Sequence, residues 1–190
     1  MTDTVYVFAR APRLGAVKRR LAAGIGACAA LRFYRTTLAA TLRRLAADRR
    51  FRTVLAVTPD DARGPWLRGR TVVGQGRGDL AARMQSVMDR HPRGRVAIVG
   101  ADIPDLRADD VAAAFRRLRG ADACFGAAED GGYWLVALGP RRPARPFARV
   151  RWSGPHALGD TLANFRHHAV TFVRTLRDVD TQADLKALHA

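Results

Sequence analysis

Cysteine, lysine and long apolar runs are nearly missing from this 190-residue chain. The two cysteines, Cys28 in a small-residue helical stretch and Cys124 in a strand-like run, make neither a disulfide framework nor a zinc site. No apolar run approaches the ~18 residues that a membrane-spanning helix needs. The apolar run before Arg10 at the N-terminus is only Val5 to Ala9, too short for the apolar core of a signal peptide, so the expected location is the cytoplasm. Lysine occurs twice, at Lys18 and Lys186, among 33 Lys and Arg residues. Acidic residues number only 17, and the formal net charge is +16. Pairs such as Arg43-Arg44, Arg49-Arg50, Arg116-Arg117 and Arg141-Arg142 are scattered along the chain, as solvated helix faces and loops would be. The arginine skew reflects compositional bias as much as a partner. A basic chain still attracts polyanions, so catalysis-free nucleic-acid binding stands as a minor alternative, although no recognisable nucleic-acid motif supports it. Internal repeats, linkers and low-complexity tracts are lacking too. Residues 1–190 therefore read as one domain, long enough to bury a full core.

What is present alternates between two periods. Short β-branched and apolar runs at Thr4–Ala9, Thr53–Val57, Thr71–Val73, Val96–Val99, Asp122–Gly126, Tyr133–Leu138 and Ala169–Val173 read as strands. Between several of them lie stretches with apolar residues three and four apart. Leu31, Tyr34, Leu38, Leu42 and Leu45 form one such stripe; Leu80, Met84, Val87 and Met88 form another. A helix is expected to begin near Ala16 and to break around Gly24 and Gly26. Asp79 and Thr181 read as N-caps, the latter with Asp184 three residues on. This alternation predicts an α/β fold: three layers, α/β/α, around a mainly parallel sheet, with Tyr133–Leu138 as the antiparallel exception.

A parallel sheet collects the loops that follow its strands on one rim, where open α/β folds bind ligands. Val96-Ala97-Ile98-Val99 is a buried-strand run ended by Gly100, with Asp102 and then Pro104 just beyond. Asp102 either serves only its own turn, as Asp often does, or holds a hard divalent cation, which prefers oxygen ligands. The loop from Arg10 through Pro12 and Gly15 to Lys18 opens a helix, and helix N-termini favour phosphate. It is not a Walker loop, because G-x-x-x-x-G-K is absent. Gly74-Gln75-Gly76-Arg77-Gly78-Asp79 is either a plain turn or a place where backbone approaches a flat nucleobase or sugar closely. Glu129-Asp130-Gly131-Gly132 reads as a turn between strands. Asp178 and Asp180 follow the last strand; for Asp178 the turn reading is favoured.

Six segments in order carry a resemblance. They are Phe8-Ala9-Arg10-Ala11-Pro12 with Gly15, Val17-Lys18 and Arg20-Leu21; Gln75 to Met84; Gly100-x-Asp102-x-Pro104-x-Leu106; Ala128-Glu129-Asp130-Gly131-Gly132-Tyr133; Trp152-Ser153; and Asp178-Val179-Asp180-Thr181 with Asp184-Leu185. Together they resemble the bacterial glycosyltransferase-A-like family DUF2064, within the nucleotide-diphospho-sugar transferase (GT-A) fold. Guanylyl- and molybdopterin-nucleotidyl transferases of that fold are more distantly similar. The chain departs from the family pattern at Leu14, where proline is usual, and at Arg19 and Gly154, where threonine is usual. The resemblance implies a metal-dependent transferase that uses a nucleotide-activated donor. The preferred reaction is glycosyl transfer from a nucleotide-diphospho-sugar to a small-molecule acceptor, with nucleotidyl transfer releasing pyrophosphate as the alternative. It assigns Arg10, Pro12, Gly15, Lys18, Gln75, Gly78 and Asp79 to the nucleotide and its phosphates. Asp102, with Asp180 as second carboxylate, is assigned to Mg²⁺ or Mn²⁺, and Asp130 or Glu129 is expected to act as general base on the acceptor side.

Overall fold

A computed structural model describes residues 2–188. Seven strands form one sheet: β1 (Thr4–Arg10), β2 (Arg52–Thr58), β3 (Val72–Gly74), β4 (Val96–Gly100), β5 (Ala123–Ala128), β6 (Tyr133–Leu138) and β7 (Val170–Leu176), in the order β3-β2-β1-β4-β6-β5-β7. Only β6 runs antiparallel to its neighbours, β4 and β5. The central strands are apolar almost throughout because helices cover both faces. On one face Val5, Val7, Ala97 and Val99 meet Tyr34, Leu38 and Leu42 of α2 (Ala27–Ala46) and Val111 and Phe115 of α4 (Ala108–Arg117). On the other, Tyr6, Val54 and Ile98 meet Met84, Val87 and Met88 of α3 (Leu80–Asp89) and Leu158 and Leu162 of α5 (Ala157–Ala163). The three-layer α/β/α reading and the antiparallel exception at Tyr133–Leu138 are both observed.

The chain leaves β1 toward β2 and β3 on one side, and β4 lies on the other. The order reverses between β1 and β4, which opens a crevice beyond their C-terminal ends. The first helix, α1, runs from Arg19 to Ile25 rather than from Ala16. Lys18, its N-cap, has left-handed backbone angles (φ 49°, ψ 48°), which a helix interior cannot contain. Asp79 caps α3 by accepting a hydrogen bond from the Ala82 N–H at 2.8 Å, and Thr181 with Asp184 forms the expected capping box of α6 (Gln182–Ala187). A register shift between Gly126 and Ala127 frees Trp134, whose indole N–H donates to the Arg174 carbonyl at 3.1 Å. The indole lies so close over Gly126 that a Cβ there would sit 2.3 Å from it. Only glycine admits this crossing.

Candidate functional site

Four of the five expected loops meet at the β1/β4 crevice. Lys18 comes from the loop after β1, Asp102 from the loop after β4, Asp130 from the β5–β6 turn, and Asp178 and Asp180 from the segment after β7. The Lys18 side chain is only 5% exposed. Its ammonium donates to Asp102 Oδ2 at 2.7 Å and to Asp180 Oδ1 at 2.6 Å. Burial alone would lower its pKa; the two carboxylates outweigh that and hold it above the ordinary lysine value. Arg20 pairs with the other Asp180 oxygen at 2.9 Å. Asp178 stands beside this cluster without a cation of its own. Burial, then the charges of Asp180, Asp130 and Asp102, push its carboxyl up to about 6 against the pull of Lys18.

Two cavities open on either side of Asp102. The larger, about 530 Å³, is cationic: Arg10, Lys18, Arg19 and Arg20 line it with Tyr34 and Asp180. Tyr34 anchors its wall. The Tyr34 hydroxyl donates to the Arg10 carbonyl and accepts from the Arg10 N–H, both at 2.9 Å. The smaller cavity, about 220 Å³, is aromatic and aliphatic, with Asp102, Asp130 and Asp178 among its lining residues. Phe8, Gly100, Asp102 and Ser153 border both.

The pair expected on the acceptor side divides. Asp130 Oδ1 accepts from the Gly132 N–H at 2.8 Å, so Asp130 is a turn residue, and it lines the aromatic cavity as well. Glu129 is held by Arg177 at 2.6 Å and lines an adjoining recess with Arg20, Asp130, Asp178, Asp180 and Asp184.

The remaining candidates lie off the two cavities. Gln75 is 3% exposed; its amide donates to the carbonyls of Ala9 at 3.2 Å and Ala56 at 2.9 Å, tying β1 to β2. Gly78 packs against Ala82, and its φ of +98° suits the loop before α3. Gly15, with φ +72°, is exposed with nothing near it. Pro12 is buried, its carbonyl accepting from Arg35 at 3.3 Å, and it lines a groove with Trp66. The sequence pattern places Tyr34 in a core stripe and gives no site role to Phe8, Arg19 or Trp152. The stripe of Tyr34 and the strand run of Phe8 carry no sign that they end at a rim, and Arg19 and Trp152 belong to no periodic pattern.

Among the described residues, no three His, Cys, Asp or Glu side chains converge on a common metal position. Asp102 and Asp180 do converge on one cation, the Lys18 ammonium. That donor set of carboxylate oxygens suits a hard divalent ion.

An α/β sheet of this order, with one antiparallel strand and its crevice at the reversal, is the GT-A type of nucleotide-diphospho-sugar and nucleotidyl transferases. The model of DUF2064, described as an uncharacterized protein conserved in bacteria, matches residues 41–154, and the chain belongs to that family. No curated protein matches it by sequence. A structure from Desulfovibrio desulfuricans G20, provisionally named a nucleotide-diphospho-sugar transferase, is similar over 99% of this chain and 87% of its own, with 29% identity and a TM-score of 0.90. A cytidylyltransferase from Leptospira borgpetersenii shares the fold at 15% identity and TM-score 0.65, over 99% of this chain and 85% of its own. Rv0371c of Mycobacterium tuberculosis H37Rv, in complex with manganese, shares it at 19% identity and TM-score 0.57, over 99% of this chain and 98% of its own.

Proposed function

We propose that this chain is a metal-dependent transferase that moves a glycosyl group from a nucleotide-diphospho-sugar to a small acceptor. The observation that carries this is the division of the crevice at Asp102: a cationic cavity on one side, an aromatic cavity without cations on the other. A diphosphate needs its charge neutralised, and Arg10, Lys18, Arg19 and Arg20 provide four cations in one cavity. Asp102 and Asp180 would hold Mg²⁺ or Mn²⁺. Bound there, the ion would offset the charge that builds on the departing diphosphate. The manganese held by Rv0371c and the naming of the Desulfovibrio relative agree with this reading.

The residues then divide the work. Lys18 lines the cationic cavity, paired to Asp102 at the boundary, and stabilises charge on the phosphate oxygen as its bond to the sugar breaks. The acceptor hydroxyl attacks the anomeric carbon, the carbon–phosphate-oxygen bond breaks, and a nucleoside diphosphate leaves. Asp130, with Oδ2 uncommitted to the turn, takes the hydroxyl proton. Glu129, engaged by Arg177, supports the recess rather than the transfer. Gln75, Gly78 and Asp79 shape the loop at the nucleotide end of the rim; Pro12 and Gly15 shape the phosphate loop.

Nucleotidyl transfer is the second reading, favoured by the cytidylyltransferase fold. With a phosphate as attacking group it would need cations on the acceptor side, where none line the cavity. A thermal-shift screen of nucleotides and nucleotide sugars, with and without Mg²⁺ or Mn²⁺, tests the proposal. Metal-dependent stabilisation by a nucleotide sugar is expected, as is its loss in Asp102→Asn with folding nearly unchanged. Stabilisation that persists in Asp102→Asn with the same metal dependence removes Asp102 from the metal. Pyrophosphate instead of a nucleoside diphosphate as product selects the second reading.

A further inference from the structure

The aromatic cavity is unusual for where it lies. The chain carries 33 Lys and Arg residues, yet none lines this cavity. Its body is made by Phe8, Leu80, Met84, Ile98, Tyr133 and Trp152, and its charged lining is three carboxylates, Asp102, Asp130 and Asp178. The next cavity, across Asp102, holds four cations. In so basic a protein this separation sorts ligands by charge. An anion entering the aromatic cavity would leave water for a lining whose charged side chains are carboxylates, Asp102 paired to Lys18 and Asp130 and Asp178 beside it, which is unfavourable in a low-dielectric recess. An apolar ring gains from burial against the aromatic wall. At about 220 Å³ the cavity exceeds the ~150 Å³ space known to take up benzene.

Resting on the transferase reading above, we infer that the acceptor is an uncharged hydroxyl compound with a flat apolar body of about one ring. The ring lies against Trp152 and Tyr133, and the hydroxyl points at Asp130 and Asp178. Sugar phosphates and other anionic acceptors are excluded. Gly154 lines the cavity; a Cβ there would meet nothing within 4 Å, and its φ is not left-handed. Larger side chains at 154 can therefore be introduced without backbone strain and would enter free space.

The chain has three tryptophans, Trp66, Trp134 and Trp152, so three indole N–H signals report on binding in the intact protein, with Trp152→Phe assigning the one of interest. Benzyl alcohol is expected to move the Trp152 signal saturably and leave that of Trp66, which lies in another groove, in place. Benzyl phosphate, glycerol and methyl glucoside should act at Trp152 at least tenfold more weakly. Gly154→Ser and Gly154→Leu should weaken benzyl alcohol progressively at unchanged melting temperature. Should Gly154→Leu fail to fold, the serine step alone still decides. Equal or tighter binding of benzyl phosphate or methyl glucoside at Trp152 overturns the inference. So does saturation of the same signal by an uncharged nucleoside in competition with benzyl alcohol, which would make the cavity the donor's. Failure of nucleotide sugars to bind, with benzyl alcohol still saturating Trp152, would fault the transferase reading and not the cavity's preference.

Discussion

Lys18 holds a left-handed backbone, which is costly for a non-glycine residue, and it is anchored there by two short ion pairs. Removing its ammonium takes away a cation from the cavity proposed for the diphosphate and leaves Asp102 and Asp180 facing each other. Lys18→Ala should weaken nucleoside diphosphate binding by about 1–3 kcal/mol, the worth of a hydrogen bond to a charged group. The parent nucleoside should be hardly affected; calorimetric titration of both ligands checks this. Equal losses for both would mean that Lys18 acts through structure. Asp130 permits a cleaner separation of roles. Asparagine at 130 retains a carbonyl oxygen for the Gly132 N–H, so the turn survives. Asp130→Asn should therefore cut turnover strongly, with donor binding and melting temperature near wild type. Full turnover, measured with the active donor and acceptor, would leave Asp130 as a turn residue only.

At the scale of elements, the wall of the aromatic cavity is made by two segments clasped at Gly131. This glycine has φ +86°, and a Cβ on it would sit 2.5 Å from the Pro155 carbonyl oxygen. The Gly131 carbonyl accepts from the Leu158 N–H at 3.1 Å, which fixes the start of α5 over the β5–β6 turn. Trp152 and Gly154 lie on the clasped segment, so the cavity's shape depends on this contact. Gly131→Ala combines left-handed strain with a clash against backbone, and about 2 kcal/mol of destabilisation is expected. For a chain of this length that is a fall of about 4–8 °C in melting temperature. A scanning melt checks it, and an unchanged midpoint would show that the clasp yields. Such elements were legible in part: Asp-Gly-Gly between two strand-like runs announces a turn, and the run at Tyr133–Leu138 announces a strand. Which segment the turn would close against was not legible, because nothing local in Trp152-Ser153-Gly154 names its partner.

For the molecule as a whole, stability at mild acid has two opposed contributions: Asp178 in the crevice, whose raised carboxyl value favours the folded chain as pH falls, and His91 away from it, which does the reverse. His91 accepts or donates a hydrogen bond with the Tyr6 hydroxyl at 2.8 Å. Burial, then the charges of Arg142, Arg52 and Arg90, lower its pKa from 6.5. The unfolded chain thus binds a proton at 91 more readily than the folded one. The contribution is complete above pH 6.5 and is lost as pH falls from there through the lowered folded value. Between pH 7.5 and pH 5 the urea midpoint of the wild type should accordingly change less favourably than that of His91→Gln, which lacks this loss. An identical slope in the variant would place the loss elsewhere.

The sequence by itself determined the alternation of strand and helix, because periods of two and of three to four residues are local properties of the chain. It also determined that Asp102 would stand just past a buried strand, and that Asp79 and Thr181 would cap helices. Tertiary structure decided the rest. Lys18 meets Asp102 from 84 residues away and Asp180 from 162 away, a juxtaposition set by strand order. Period-two patterning states that a strand is buried and leaves its neighbours open. The same order set Gln75 as a tie between β1 and β2, put Pro12 in a separate groove, and left Asp178 beside the cluster without a cation. Charge sorting between the two cavities was beyond the sequence for the same physical reason. Arginines spread along the chain become a cationic wall, or stay out of an aromatic one, only when the sheet fixes which loops share a rim.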